Sequence, residues 1–192
     1  MSEIIPAILP SDADELLEEA ELMRGVAHII HLDVLENEVW EEINNEFEVH
    51  LMIPDPETVL GQWIERGARR VVVHELSEEI LMHQHLIEIG LGVLLDTPLE
   101  DVLPFVTTTD YLHMMSITEI GEQGHPFEPI IFDRIRKVKE VSPESIIAVD
   151  GGINLENAGE LLEAGVDRLI VGSAIFRSED PEGAYENFLK LI

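Results

Sequence analysis

The chain has 192 residues, is 45% hydrophobic and carries a mean hydropathy of +0.10. It can therefore fill a core and is too apolar for a disordered tail. Its 40 Asp and Glu against 11 Lys and Arg give a net charge of −29, a surface that repels nucleic acid and anionic membranes and argues against both as partners. Cysteine is absent, which removes disulfides, thiolate metal sites and cysteine nucleophiles. No stretch reaches the ~18 apolar residues of a membrane span, and the first ten residues lack the basic start of a signal peptide. A cytoplasmic protein is expected.

Short apolar, β-branched runs alternate with helical patterns along the whole length. The first run covers residues 4–9 and is followed by Ser11 as a helix cap, ahead of a stripe of Leu16, Leu17, Ala20 and Met23. The second and third runs, 28–34 and 47–53, are separated by only about a dozen residues, so the helix between them must be very short or missing. Asp55-Pro56 opens a helix with Val59, Leu60, Trp63 and Ile64 on one side, and run 70–76 follows. Run 92–96 leads into Thr97-Pro98, another helix start, and then come runs 111–117 and 146–153. Asn154 caps a helix with Leu155, Ala158, Leu161 and Leu162 that stops at Gly165; run 168–175 and Asp180-Pro181 close the series.

Eight strands buried on both faces, each followed by a helix, imply a parallel sheet. The α/β class expected is a compact (β/α)8 TIM barrel, one domain over residues 1–192 with a shortened second βα unit. An open doubly wound sheet is the runner-up.

A parallel barrel places its chemistry at the carboxyl ends of the strands. There the second run ends His31-Leu32-Asp33, the third contains His50, and the seventh ends at Asp150. Residues i and i+2 share a strand face, so His31 and Asp33 both turn inward. Two imidazoles and two carboxylates suit one divalent metal ion, Zn²⁺, Fe²⁺, Mn²⁺ or Co²⁺. His74 is recommended by position alone. His113 is read as a hydrogen-bonded core residue one layer below Met115, His83 and His85 as solvated, and His28 as facing away. Gly151-Gly152 and Gly172-Ser173 follow the last two strands, where such barrels hold phosphate on backbone N–H groups without needing lysine. That economy matters in a chain with three lysines.

Together, His31-Leu32-Asp33-Val34, His50-Leu51-Met52, Val149-Asp150-Gly151-Gly152-Ile153 and Val171-Gly172-Ser173-Ala174-Ile175-Phe176 resemble the ribulose-phosphate 3-epimerase family, in that family's order. Pro6-Ala7-Ile8-Leu9 resembles its opening strand. The resemblance implies interconversion of D-ribulose 5-phosphate and D-xylulose 5-phosphate, a small-molecule sugar phosphate being the partner. It implies His31, Asp33, His50 and Asp150 as metal ligands, with Asp33 and Asp150 also serving as the acid–base pair. Met52 and Met115 would line the reacting carbons, while Gly121 and Gly124 of the sixth loop would join Gly151, Gly152, Gly172 and Ser173 around the substrate.

The chain departs from the family at Ala7, at Leu35-Glu36-Asn37, in the shortened segment 38–45, and in a sixth loop carrying Glu119 and Glu122. These departures keep two alternatives open, a hexulose-phosphate epimerase and a catalytically idle barrel that binds metal or sugar phosphate. Val39, Trp40 and Ile43 in the shortened segment either cover the site, meet a second copy in a homo-oligomer, or pack on the barrel itself.

Overall fold

The structure is a computed structural model that describes residues 2–192. Within them eight strands close into one parallel barrel in chain order: β1 (Glu3–Ile8), β2 (Ile30–Val34), β3 (Phe47–Leu51), β4 (Arg70–Val73), β5 (Glu88–Val93), β6 (Tyr111–Met115), β7 (Ile146–Asp150) and β8 (Arg168–Val171). Pairing of β1 with β8 seals the ring and excludes an open sheet. The coat consists of α1 (Ala13–Met23), α2 (Glu57–Glu65), the single turns α3 (Glu78–Leu81) and α4 (Leu99–Val102), then α5 (Ile131–Val141), α6 (Ala158–Glu163), the turn α7 (Ser173–Phe176) and α8 (Pro181–Leu189). No helix among the described residues is long and apolar enough to cross a membrane.

Local chemistry accounts for most of these boundaries, with adjustments. Asp12, rather than Ser11, caps α1 by accepting from Glu15 N, while Ser11 donates to the Glu15 carboxylate from its amide and its hydroxyl. Asp180 caps α8 with Pro181 behind it, as the sequence predicts, whereas α2 and α4 start at Pro56 and Pro98 without a side-chain cap. The fifth strand starts four residues before the run 92–96 and ends at Val93. Gly90 and Gly92 break its apolar pattern, yet both face the inside of the barrel. A Cβ on Gly90 would sit 2.3 Å from the Tyr111 ring, and one on Gly92 would sit 2.7 Å from the His74 imidazole. These glycines make room for rings reaching in from neighbouring strands.

Between β2 and β3 there is no helix among residues 35–46. The wedge that takes its place is Trp40, with ring centroids 5.3 Å from Phe47 and 5.2 Å from Trp63, and the Arg66 guanidinium 4.9 Å from its ring. Val39, Trp40 and Ile43 all pack on the outer core of their own barrel.

Inside the ring, apolar Ile5, Val72, Ala148 and Ile170 form a middle layer. Below it, Arg70 binds Glu3 at 2.8 Å, Glu48 at 3.1 Å and Glu88 at 3.2 Å, and Arg168 binds Glu88 at 2.7 Å. Glu48 is buried, so its charge depends on these partners. Replacing Arg70 by Met removes the compensating cation and is expected to lower stability by about 3–5 kcal/mol, as for other one-sided losses of a buried pair. Urea unfolding of Arg70→Met measures it, with an unchanged midpoint as the contrary result.

Candidate active site

Strand pleating and register assemble the polar residues above the middle layer. On β2, His31 and Asp33 point the same way, and the β2–β3 register sets Asp33 opposite His50. Across the ring, β6 and β7 set Met115 opposite Asp150. A cavity at the carboxyl ends of the strands is lined by Asp33, His50, Met52, Met115, Gly121, Gly124, Asp150, Gly151, Gly152, Gly172 and Ser173. Of the site residues singled out in the sequence, only His31 is absent from that lining. It is fully buried behind Asp33, with Nε2 3.4 Å from Asp33 Oδ1.

Hydrogen bonds set the tautomers. Gly92 O accepts from His74 Nδ1 at 3.1 Å, because a carbonyl has no proton to give. His74 Nε2 therefore accepts, and the donor 2.8 Å away is His50 Nε2. The remaining His50 nitrogen, Nδ1, faces Asp33 Oδ1 at 3.2 Å, a hydrogen bond to which only a protonated nitrogen can donate, and Asp150 Oδ2 at 3.8 Å. On the other side, His31 Nδ1 donates to Glu48 Oε1 at 2.7 Å. That bond leaves His31 Nε2 buried with no hydrogen-bond partner. Nitrogens of two imidazoles thus converge on carboxylate oxygens, an arrangement that needs positive charge between them, as ring protons or as a cation.

The electrostatics agree. Burial alone would lower the His31 imidazole, but the carboxylates of Asp33 and Glu48 outweigh it and push it up to about 10, so without a cation beside it the ring takes a second proton on Nε2. Burial, then the charges of His50 and His113, hold His74 down at about 3, consistent with a neutral acceptor. For Asp33, burial would raise the carboxyl, yet His31 and His50 keep it well below the carboxylate range. Asp150 goes the other way: burial, with the Asp33 charge second, pushes it up to about 6. One carboxyl favours the ionised form and the other tends toward the neutral one.

Three contributors have roles that a reading of strand ends does not give. His113 is buried and hydrogen-bonded as expected, but its Nε2 lies 3.1 Å from Asp150 Oδ2. Donor atoms of His31, His50, His113 and Asp150 all fall within 4.8 Å of one another. Glu48 stands at the foot of β3 and reads as an ordinary strand-start charge; the alternation Glu48-x-His50, the same spacing as His31-x-Asp33, was the available signal. Ser116 is buried, with its hydroxyl 2.6 Å from Gly151 O and 2.9 Å from Asp150 O. It fastens the turn that carries Asp150. His28 is exposed, while His83 and His85 bond to Glu79 O and Met82 O on the coat, away from the site.

Gly151 and Gly152 adopt φ of 112° and 64°, and a Cβ on Gly152 would lie 2.6 Å from Phe127 N. Glycine is required there because the sixth loop rests on that turn. In the same loop the Glu122 side chain is 82% exposed, which turns its charge toward solvent.

Known proteins share this framework. The chain matches the Ribulose-phosphate 3 epimerase family over residues 3–176. The ribulose-phosphate 3-epimerase of Aquifex aeolicus is 30% identical over all of this chain and 97% of its own length. Those of Escherichia coli and Schizosaccharomyces pombe are 29% and 26% identical, over 92% and 94% of this chain and 90% of each relative. Among solved structures, KGPDC from Streptococcus mutans superposes with a TM-score of 0.79 at 14% identity, covering 100% of this chain and 97% of that one. That likeness is one of fold.

The tautomer chain from Gly92 through His74 to His50 is testable. Gly92→Ala drives a methyl into the His74 ring and should weaken Co²⁺ binding by the ~10–100-fold typical of a lost outer hydrogen-bond partner. Calorimetric titration reads the change, and unaltered affinity would show that His74 does not orient His50.

Proposed function

Because the chain belongs to the ribulose-phosphate 3-epimerase family and is therefore an isomerase, we propose that it inverts C3 of D-ribulose 5-phosphate to give D-xylulose 5-phosphate. The observation that carries this reading is the pair Asp33 and Asp150, which come from β2 and β7 and lie within 3.2 and 3.8 Å of one His50 nitrogen. Inversion next to a carbonyl needs a carboxylate to take the proton from one face and a carboxyl group to return one from the other. Two acids from different strands bordering one cavity meet that need, and each positioned acid or base typically contributes ~10²–10⁴-fold.

Four groups, His31, Asp33, His50 and Asp150, are assigned to hold a divalent metal; the partnerless His31 Nε2 and the nitrogen–oxygen donor set fit Zn²⁺, Fe²⁺, Co²⁺ or Mn²⁺. When bound, the cation supplies Lewis-acid stabilisation of the negative charge that develops on the substrate oxygens. Met52 and Met115 border the same space with apolar, polarisable surface, offering a planar enediolate no competing proton. Backbone N–H groups of the turns at Gly151-Gly152 and Gly172-Ser173, with Gly121 and Gly124 in the same cavity lining, are assigned to the phosphate. Asp150 is held in place through its backbone by Ser116, so its carboxyl group approaches the substrate from a fixed direction.

Asp150→Asn keeps the shape of the site and removes one proton carrier. In D₂O it should lose at least about 10²-fold in interconversion while still exchanging the C3 proton of the one epimer that Asp33 reaches. Proton NMR separates the two processes. Full turnover in this variant, or exchange into both epimers alike, would remove Asp150 from its role. His50→Ala should lower bound metal, and undiminished content by elemental analysis would take it out of the ligand set.

A further inference from the structure

We infer that His113 is a third imidazole ligand of the cation, so that this chain binds its metal through three ring nitrogens together with carboxylate oxygen. The inference rests on the proposed cation site and extends its ligand set. It begins from where His113 stands. The residue lies fully buried on β6, two positions before Met115, in register with Gly92 on one side and Ala148 on the other. Its ring stacks on His31, with centroids 5.3 Å apart and planes 12° from parallel, and lies 4.8 Å from the His50 ring. Three buried imidazoles therefore pack against one another.

A purely structural histidine packed there would satisfy both ring nitrogens. His113 does not: Nε2 lies 3.1 Å from Asp150 Oδ2, and Nδ1 is buried without a partner. A buried polar atom left unpaired forfeits its hydration and gains nothing in return, so the Asp150 contact alone does not account for the ring. Its strand neighbours across β5 and β7 are Gly92 and Ala148, and neither calls for a polar side chain. The unpaired His31 Nε2 faces the same cluster. Two incompletely paired rings stacked beside one carboxylate, with ligand atoms of His31, His50, His113 and Asp150 inside 4.8 Å, form a built donor set around a common point.

The consequence is chemical. Imidazole donors favour borderline ions such as Zn²⁺ and Co²⁺, whereas oxygen-rich sets suit Mn²⁺ and Mg²⁺. A third nitrogen moves the centre toward the former.

The test counts coordinated rings directly. In the Co²⁺-loaded protein, each ligating histidine contributes one solvent-exchangeable, strongly shifted ring N–H resonance in proton NMR. Three such signals are expected from the unmodified chain and two from His113→Leu. That variant should also lose more than about 100-fold in Co²⁺ affinity, beyond the ~10–100-fold typical of an outer hydrogen-bond partner. Two signals from the unmodified, Co²⁺-loaded chain would overturn the third ligand and leave the cation site standing. Failure to bind Co²⁺ at all would overturn the cation site itself. Because the unmodified protein supplies the primary count, the outcome does not depend on whether His113→Leu folds.

Discussion

The bond on which the rest of the site depends is the one from His31 Nδ1 to Glu48 at 2.7 Å. It is made in the middle of the barrel, out of reach of water, between a ring that serves the mouth and a carboxylate that belongs to the floor. Glu48 is held low, at about 2: burial opposes ionisation there, but the His31 hydrogen bond and charge, then Arg70, overcome it. An ionised Glu48 keeps a proton on His31 Nδ1, and thereby presents Nε2 to Asp33. Arg70, Glu3 and Glu88 around the lower end are thus part of the same electrostatic column. The floor network stabilises the barrel and also sets the direction in which a ring above it faces.

A second column runs through glycine. Gly92 supplies a carbonyl to His74 and, lacking a side chain, the volume that the His74 ring occupies. His74 in turn orders His50. The imidazoles of His31 and His50 are therefore both oriented from behind, one by a buried acid and one through a backbone oxygen. Such support keeps ligand geometry fixed before anything binds, which is where a site gains affinity and catalytic reach.

Much of this is legible in the sequence. The β2 triplet His31-Leu32-Asp33 needs only the two-residue period of a strand to place two donors on one face, and the β-branched runs with their helix starts specify a closed α/β ring. What is hidden has physical causes. The fifth strand is displaced because Gly90 and Gly92 look like breaks, when they are cavities for Tyr111 and His74 supplied from other strands. Glu48 and Arg70 look like solvated strand starts because charge compensation across three or four strands has no local signature. The partner of His113 is set by the register of β6 against β7, and a lone histidine in an apolar run gives no hint of the carboxylate it will meet. The cap at Asp12 instead of Ser11 is a smaller case, decided by which oxygen reaches the Glu15 amide.

The helix-free connection after β2 bears on how the chain finds this arrangement. Parallel strands need a crossover of a dozen or more residues, and residues 35–46 stand at that lower bound. The entropy lost in closing a loop rises by about 0.6 kcal/mol for each doubling of its length, so β2 and β3 meet at lower cost than β6 and β7, whose connection spans 116–145. Asp33 and His50 are near neighbours along the chain. Asp150 reaches them only across a hundred further residues. A partly folded molecule can hold one acid in its native surroundings well before the other arrives, and the capacity to invert a stereocentre appears only when the circle of strands is complete.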